Sequence, residues 1–234
     1  MDPGEQTTAF RERLRAVPLF AALDDAALDE LAALARVLRL SRKQVLIHEG
    51  EPYRGPFVVL TGLVVVYKLS ADGRMLILHV CRPGDPLADV PLFEAHDAGY
   101  PAHARSTRES EVLFLPRASF VPFLKRHPAV AWALLEQLAA RIKEITLQLE
   151  GVTLREVTSR LARYLLREIE ASRVEGEARP VLDLPLAKGS IASYLGTVHE
   201  TLSRTFARLI RDGIISVDGP KVTILDQERL KKMV

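Results

Sequence analysis

The sequence predicts an α+β fold in which an antiparallel β-roll precedes a long helix and a C-terminal winged helix-turn-helix. Three patterns predict it. Short β-rich runs separated by turn residues fill the first half of the chain, an apolar heptad pattern follows, and two short helical patterns with a terminal hairpin pattern come last. With 234 residues, 48% of them hydrophobic, the chain can bury one large or two modest cores.

The pattern of segment 14–40 predicts helix. Asp24 and Asp25 are placed to begin a helix, because an aspartate carboxylate can accept hydrogen bonds from the free N–H groups of a first turn. Leucines then recur at helical spacing. We therefore expect helix across this segment.

Segment 37–120 has the pattern of strands. The runs QVLIH, FVVLTGLVVVYKL, RMLILHVC and EVLFLP alternate with turn signals. The pair Asp72-Gly73 between two of these runs is typical of a tight hairpin. The regular spacing predicts an antiparallel barrel or roll, and we assign residues 1–127 to this domain with its flanking helices.

A narrow apolar stripe marks the next helix, which we assign to residues 128–152. Over 131–152, apolar residues recur at alternating steps of four and three, which is the pattern of a coiled-coil seam. The central seam residues are Leu135, Leu138, Ile142, Ile145 and Leu149. We expect the seam to pair two copies of the chain in a parallel homodimer; the alternative is that it packs on the roll of its own chain. Gly151 is expected to interrupt the helical pattern.

We assign residues 153–234 to a DNA-binding domain because of the order in which its predicted elements follow one another. A helix over about 155–172 and a polar link are followed by a short strand (VLDLPL), a helix over 188–195, a turn at Gly196-Thr197, a helix over 198–211 and a hairpin (IISVDGPKVTIL). Two short helices joined by a glycine-containing turn and followed by a hairpin are typical of a winged helix-turn-helix.

The net positive charge of the chain is concentrated in this last domain. The whole chain has a net charge of +2, but from Thr153 onward it has 14 Lys and Arg against 11 Asp and Glu. Within 188–211 there are four basic residues and one acidic residue. Local positive charge of this kind suits a polyanionic partner, although a solvated surface is the alternative.

The helix predicted at 198–211 has a polar face opposite its apolar stripe. Leu202, Phe206 and Leu209 share one face, whereas Glu200 and Arg204 lie on the other. Arginine can bond guanine bidentately, glutamate can accept from cytosine, and serine can bond a base or a phosphate. We therefore expect Glu200, Ser203 and Arg204 to read bases; the alternative is a surface ion pair between Glu200 and Arg204. The expected phosphate contacts, which position without specifying, are Lys188, Thr197, Thr201, Arg208 and Arg211.

Several function classes are excluded or disfavoured. The N-terminus has no secretory signal pattern and the longest apolar run is too short to span a bilayer, so we expect a cytoplasmic protein without membrane contact. Nucleophile-elbow, HExxH, Walker and Rossmann patterns are missing, which argues against an enzyme. The single cysteine, Cys81, cannot form a disulfide within the chain or ligate an iron–sulfur cluster. We assign no metal site.

With its parts in this order, the sequence resembles the CRP/FNR family of bacterial transcription regulators over nearly its whole length. The resemblance is carried by LIHEGEP, PGDPLADVPLFE and LPLAKGSIASYLGTVHETLSRTFARLIRDGIISVDGPKVTILD. It implies a cyclic-nucleotide-binding-like roll, a dimerisation helix, double-stranded DNA and RNA polymerase as partners, and allosteric control by a signal sensed in the roll. The pattern ExxSR, here Glu200, Ser203 and Arg204, resembles the FNR type and implies TTGAT half-sites in an inverted repeat. His199 occupies a position that varies in the family and is expected to tune this preference.

The sequence departs from the cyclic-AMP-dependent members at the expected effector pocket. Ala88-Asp89 and Gly99-Tyr100 stand where those members have Gly-Glu and Arg-Ser. Without that arginine a cyclic phosphate would lose its charged partner, which argues against cyclic AMP as the effector. The expected pocket residues are Asp89, Gly99, Tyr100, Arg141 and Thr146.

Other segments resemble the DNR-type branch, whose members respond to nitrogen oxides, some through haem. These are LPLAK, the Ala88-Asp89 cassette and GIISVDG with ILDQERL. A haem-dependent nitric oxide or carbon monoxide sensor is therefore an alternative interpretation. Its candidate haem ligands are His48, His79, Cys81, His96, His103 and His127. A ligand-binding regulatory subunit that contacts no DNA is a further alternative, but it would leave the winged domain unexplained.

Overall fold

The computed structural model describes residues 3–94, 99–154, 156–172 and 179–234. The chain forms two compact units, Met1–Arg141 and Ile142–Val234, and the boundary between them falls within one long helix. The helices are α1 (Pro3–Arg15), α2 (Asp25–Leu34), α3 (Arg117–Arg126), α4 (Pro128–Leu154), α5 (Val157–Ser172), α6 (Lys188–Tyr194), α7 (His199–Arg211) and α8 (Gln227–Lys231). Short 3-10 turns occupy Pro18–Phe20 and Val90–Phe93.

Eleven strands complete the described elements. They are β1 (Arg36–Leu40), β2 (Val45–Ile47), β3 (Phe57–Thr61), β4 (Val64–Leu69), β5 (Met75–Cys81), β6 (Pro86–Leu87), β7 (His103–Ser106), β8 (Ser110–Phe114), β9 (Val181–Asp183), β10 (Ile215–Asp218) and β11 (Lys221–Ile224).

The N-terminal segment is not continuously helical, so the prediction for 14–40 is wrong in part. α1 ends at Arg15, and Pro18 begins a 3-10 turn, because proline lacks the backbone N–H that a continuing helix needs. α2 begins as predicted, since the Asp24 carboxylate accepts a 2.8 Å hydrogen bond from the Ala27 backbone N–H. Residues 36–40 form a strand because β1 pairs with β8 along its whole length.

The strand-rich region forms an antiparallel roll of two four-stranded sheets. Their strand orders are β1-β8-β3-β6 and β2-β7-β4-β5, and every pairing is antiparallel. The predicted hairpin joins β4 to β5: Gly73 has φ +78°, and the Ser70 N–H donates to the Arg74 carbonyl at 2.9 Å. The strands β6 and β7 were not predicted, because they are short and carry little apolar alternation. The roll core includes Val59, Val64 and Cys81.

The long helix α4 continues through Gly151 to Leu154, so the interruption predicted there is wrong. A glycine inside a helix costs only about 1 kcal/mol relative to alanine, which a helix of 27 residues tolerates. The side chain of Val152 lies outside the described part of the structure.

The second unit has the predicted order of a winged helix-turn-helix. α5, α6 and α7 pack around Leu161, Leu165, Ile191, Leu202 and Leu209, all of them buried. β10 and β11 form the terminal hairpin, and β9 pairs with β11 to complete a three-stranded sheet. Most of the predicted polar link, residues 173–178, lies outside the described residues. Both parts of the predicted fold class, roll and winged domain, are therefore confirmed.

Candidate functional site

The helix α7 separates a buried stripe from a solvent-facing polar side. Leu202, Phe206 and Leu209 are at most 3% exposed and anchor the helix to its domain. The Thr205 hydroxyl, also buried, donates to the Thr201 carbonyl at 2.9 Å and so satisfies itself within the helix. The polar side is therefore not needed for packing.

Glu200 and Arg204 form an ion pair on that polar side. Arg204 Nη2 lies 2.5 Å from Glu200 Oε1, and the two side chains are 79% and 72% exposed. An exposed i,i+4 pair contributes only about 0.3–0.5 kcal/mol, so fold stability does not account for these residues. His199, which precedes Glu200, is exposed, and Ser203, which precedes Arg204, is half-buried. The structure thus brings the four predicted base-reading residues to one end of an exposed helix face.

The turn at Gly196 and Thr197 determines where α7 begins. Gly196 has φ +61°, a conformation that glycine adopts without steric cost, and the Thr197 N–H donates to the Ala192 carbonyl at 3.0 Å. Lys188, at the start of α6, is exposed, and its Nζ lies 5.4 Å from the centre of the Phe206 ring. This cation–π contact places a positive charge beside α7.

The remaining predicted phosphate contacts lie farther along α7 and at its start. Arg208 and Arg211 are 55% and 77% exposed and face Asp212 only at 3.9 and 3.7 Å, distances at which the pairing is weak. Thr197 and Thr201 are half-buried. Both arginine side chains therefore remain available to a partner in solution.

The roll contains a cavity of about 290 Å³. Of the predicted pocket residues, the structure brings Asp89, Tyr100 and Arg141 to its wall. Gly99 pairs with Pro52 in an isolated bridge. Thr146 belongs to the second unit, where its hydroxyl donates to the Ile142 carbonyl at 2.9 Å.

Most of the cavity wall was not predicted from the sequence. It is mainly apolar and includes Ile47, Val66, Leu78, Leu87, Val90, Pro101, Ala102 and Ala104, with Lys68 and His79 as further polar members. Ile47, Leu87 and Val90 lie within two of the motifs quoted above, but the motifs did not show that these side chains face one cavity. The other wall residues come from separate strands and loops, which only the fold brings together.

Asp89 is the buried acid of this cavity. The preceding residue, Ala88, has φ +57°. The Tyr53 hydroxyl holds Ala88 in this conformation by donating to its carbonyl at 2.9 Å. A left-handed alanine costs roughly 1 kcal/mol, a strain of the kind that concentrates at binding sites. Burial raises the pKa of Asp89, while backbone N–H groups and the charge of Arg141 oppose the rise.

We expect Asp89→Asn to raise the thermal unfolding temperature at neutral pH. Because the pKa of Asp89 is raised in the folded state, the folded protein holds this proton more tightly than the unfolded chain does. Stability should therefore fall as the pH rises from the ordinary aspartate pKa of 3.8 through the raised value, and asparagine removes that loss. Differential scanning fluorimetry across pH should show the stabilisation shrinking toward acid.

Asp72→Asn is the matched control with the opposite sign. A hydrogen bond from Ser70 and the charge of Arg74 lower the pKa of Asp72 on the exposed hairpin. Its ionised form is therefore the one that the fold favours, and this variant should not gain stability at neutral pH. An Asp89→Asn protein that is less stable than wild type at neutral pH would contradict the assignment of Asp89 as a desolvated acid.

The candidate haem ligands that the structure describes lie in several parts of the first unit. His79 lines the cavity and Cys81 is buried in the roll core. The His103 ring stacks on Tyr67 with centroids 5.1 Å apart, and His48 lies edge-on to it at 6.0 Å. His127 Nε2 lies 3.0 Å from Glu30 Oε2 at the end of α3, and His96 falls outside the described residues. Among the side chains that the structure describes, no group of three or more His, Cys, Asp or Glu is placed to hold a metal ion.

None of the helices in the described ranges is both long and apolar enough to cross a bilayer.

Two protein-family models match the chain, one in each unit. A cyclic nucleotide-binding domain matches residues 37–127, and a Crp-like helix-turn-helix domain matches residues 159–233. The first spans the roll and α3, and the second spans most of α5 and all later elements.

Related proteins match both domains together. The HTH-type transcriptional regulator Cmr of Mycobacterium tuberculosis is 27% identical over 87% of this chain and 79% of its own. The nitrogen fixation regulation protein FixK of Bradyrhizobium diazoefficiens is 27% identical over 94% of this chain and 91% of its own. The solved structure of FixK2 from Bradyrhizobium japonicum has the same fold, with a TM-score of 0.72 at 24% identity over 85% of this chain and 96% of that one. The chain therefore combines a cyclic nucleotide-binding domain with a Crp-like helix-turn-helix domain, and over most of its length it is similar to transcription regulators of the CRP/FNR type.

Proposed function

We propose that the protein is a homodimeric regulator that reads an FNR-like TTGAT inverted repeat under the control of a signal sensed in the roll. The observation that carries this proposal is the Glu200–Arg204 pair, which is exposed on the face of α7 opposite its buried stripe. A helix-turn-helix inserts the start of its second helix into the major groove, and this pair lies at that start.

The roles of the base-reading residues follow from their chemistry. The Arg204 guanidinium can bond O6 and N7 of guanine together, and Glu200 can accept from the amino group of cytosine. Glu200 also holds the guanidinium in place before DNA arrives, which limits the side-chain entropy lost on binding. Ser203 is the third member of the triad, and His199 adjusts its preference from the exposed start of the helix.

The homodimer is supported by the exposure of the α4 seam. Leu135, Ile142, Ile145 and Leu149 are 55%, 65%, 48% and 64% exposed in the single chain, and Leu138 is half-buried. A row of exposed large apolar side chains at a/d spacing is the surface that a second α4 would cover. A helix of 27 residues is about 40 Å long, which provides a substantial contact.

Control by the roll is supported by the position of Arg141. This residue of α4 lines the roll cavity together with Asp89 and Tyr100, so a bound effector would contact the helix that carries the seam. An effector that binds one arrangement of α4 better than another shifts the equilibrium between them. RNA polymerase is the further partner that this function requires.

Binding to a TTGAT palindrome should depend steeply on salt. Lys188, Arg208 and Arg211 supply three exposed basic side chains per subunit and six per dimer. Six phosphate contacts correspond to a loss of roughly 10³-fold in affinity between about 50 and 200 mM salt. Fluorescence anisotropy with a labelled duplex measures this slope, and a scrambled duplex of equal length serves as the specificity control.

Arg208→Ala tests where that slope arises. It should reduce the slope of log K against log salt by about 0.9 for each lost contact, or about 1.8 per dimer, while sparing sequence preference. An affinity that stays flat over this salt range, or equal affinity for the scrambled duplex, would overturn the proposed DNA-reading function.

A further inference from the structure

One face of α5 carries three arginines that are not part of the proposed DNA-reading face of α7. Arg160, Arg163 and Arg167 are spaced by three and four residues, so they follow one another along a single side of the helix. The opposite side is buried through Leu161 and Leu165. Because the buried side anchors α5 in its domain, the arginine side can contact other elements without being part of the core.

The first of these arginines holds the turn of the helix-turn-helix. Arg160 Nη1 donates to the Leu195 carbonyl and lies 3.4 Å from the Gly196 carbonyl. These carbonyls end α6, where the helix dipole is negative and a cation is favoured. Arg160 therefore fixes the peptide groups that lead directly into α7.

The other two arginines reach the C-terminal part of α4. Arg163 Nη1 lies 3.4 Å from the Leu147 carbonyl, and Arg167 Nη1 donates to Glu144 Oε1 at 2.8 Å. Within the second unit, α5 therefore holds α4 with one end of its arginine face and the turn of the DNA-reading motif with the other.

A third side chain closes the connection between α4 and α6. The Tyr194 hydroxyl, on the last residue of α6, donates to Glu144 Oε1 at 3.0 Å and lies 2.8 Å from Arg167 Nη1. Burial raises the pKa of Tyr194 to about 12, so the hydroxyl keeps its proton at neutral pH and can donate. Its ring also packs 5.7 Å from that of Tyr164. Glu144 thus accepts one hydrogen bond from α5 and one from α6.

We propose that Glu144, Arg167 and Tyr194, together with Arg160, couple the C-terminal part of α4 to the helix-turn-helix, so that the recognition helix follows α4. They are positioning residues, because their contacts are with protein groups and none of them belongs to α7. The inference rests on the proposed function, since coupling to α4 matters for DNA only if α4 joins two copies. In that dimer the network holds both recognition helices at the separation that an inverted repeat demands.

Glu144→Gln in the full chain separates coupling from charge. Removing one negative charge from a protein that binds DNA would, by charge alone, strengthen binding or leave it unchanged. Coupling predicts the opposite, because the neutral amide oxygen of glutamine accepts from Arg167 and Tyr194 more weakly than a carboxylate does. Affinity for the palindrome should fall about tenfold, as for partners within one network. Glu170→Gln, an exposed residue of α5, is the matched control for the charge effect. Tyr194→Phe should weaken binding without any change of charge, and combining it with Glu144→Gln should cost less than the sum of both.

Two further measurements decide what a loss of affinity means. Binding to a duplex with a single half-site should match that of the Glu170→Gln control, since the reading face of α7 is untouched. Hydrogen exchange at residues 195–197 should be faster in Glu144→Gln than in the control, although the substitution lies in α4. If Glu144→Gln weakens binding to the half-site and to the palindrome equally, the network only stabilises the helix-turn-helix and the coupling is wrong. Tighter binding to the palindrome together with unchanged hydrogen exchange at residues 195–197 would also overturn the coupling. If the wild type shows no preference for TTGAT, the DNA proposal fails and the exchange result alone decides the coupling.

Discussion

Arg204→Ala should lower affinity for a TTGAT inverted repeat by at least about thirtyfold while leaving the dimer intact. A bidentate contact between arginine and a base is worth about 1–3 kcal/mol, and a dimer loses two of them, or at least about 2 kcal/mol. The side chain is 79% exposed, so its removal opens no cavity in the domain. A gel-shift titration of purified variant and wild type measures the loss, and light scattering confirms the dimer.

Arg211→Ala is the matched control for this prediction. Its side chain is 77% exposed on the same helix, and the same positive charge is removed. A phosphate contact carries no sequence information, so this variant should weaken binding to the TTGAT duplex and to a scrambled duplex by similar factors. If Arg204→Ala behaves in the same way, Arg204 contacts the backbone and the base-reading assignment is wrong.

Leu138→Glu should convert the dimer to a monomer at micromolar concentration. Leu138 is one of the five central seam residues, and its substitution by glutamate would place two carboxylates against each other in an apolar contact. Burying unpaired charges costs about 3 kcal/mol or more, which raises the dimer dissociation constant by at least about a hundredfold. Multi-angle light scattering should report a mass near 26.0 kDa, that of one chain.

Ala140→Glu provides the control on the same helix. Ala140 is exposed and lies two residues beyond Leu138, off the a/d seam. It introduces the same carboxylate without entering the proposed contact, so the mass should stay that of two chains. An unchanged mass for Leu138→Glu would contradict the coiled-coil assignment, and a monomeric Ala140→Glu would show that charge on α4 in general disrupts pairing.

Local patterns alone were sufficient for the features that depend on neighbouring residues. The Asp24 cap, the Asp72-Gly73 hairpin and the amphipathic α7 all appear in the structure where the sequence predicted them. In each of them the interacting groups are at most a few residues apart, so their spacing in the sequence is also their spacing in space.

Segments whose conformation depends on distant partners were predicted less well. RVLRL, residues 36–40, is compatible with helix or strand over so short a run, and only pairing with β8 makes it a strand. The break at Pro18 was visible in the sequence, but the apolar spacing on both sides of it obscured the end of α1.

The sequence by itself determined the roll, the winged helix-turn-helix that follows it and the polar face of α7, because motifs and helical periodicity are local properties of the chain. Only the tertiary structure decided which side chains line the roll cavity and that Arg160 and Arg167 of α5 reach the end of α6. Arg160 meets carbonyls 35 and 36 residues away, and the wall of the cavity is assembled from separate strands. Backbone carbonyls carry no residue signature, and long-range packing brings together groups whose separation in sequence has no fixed period, so neither arrangement is written in a local pattern.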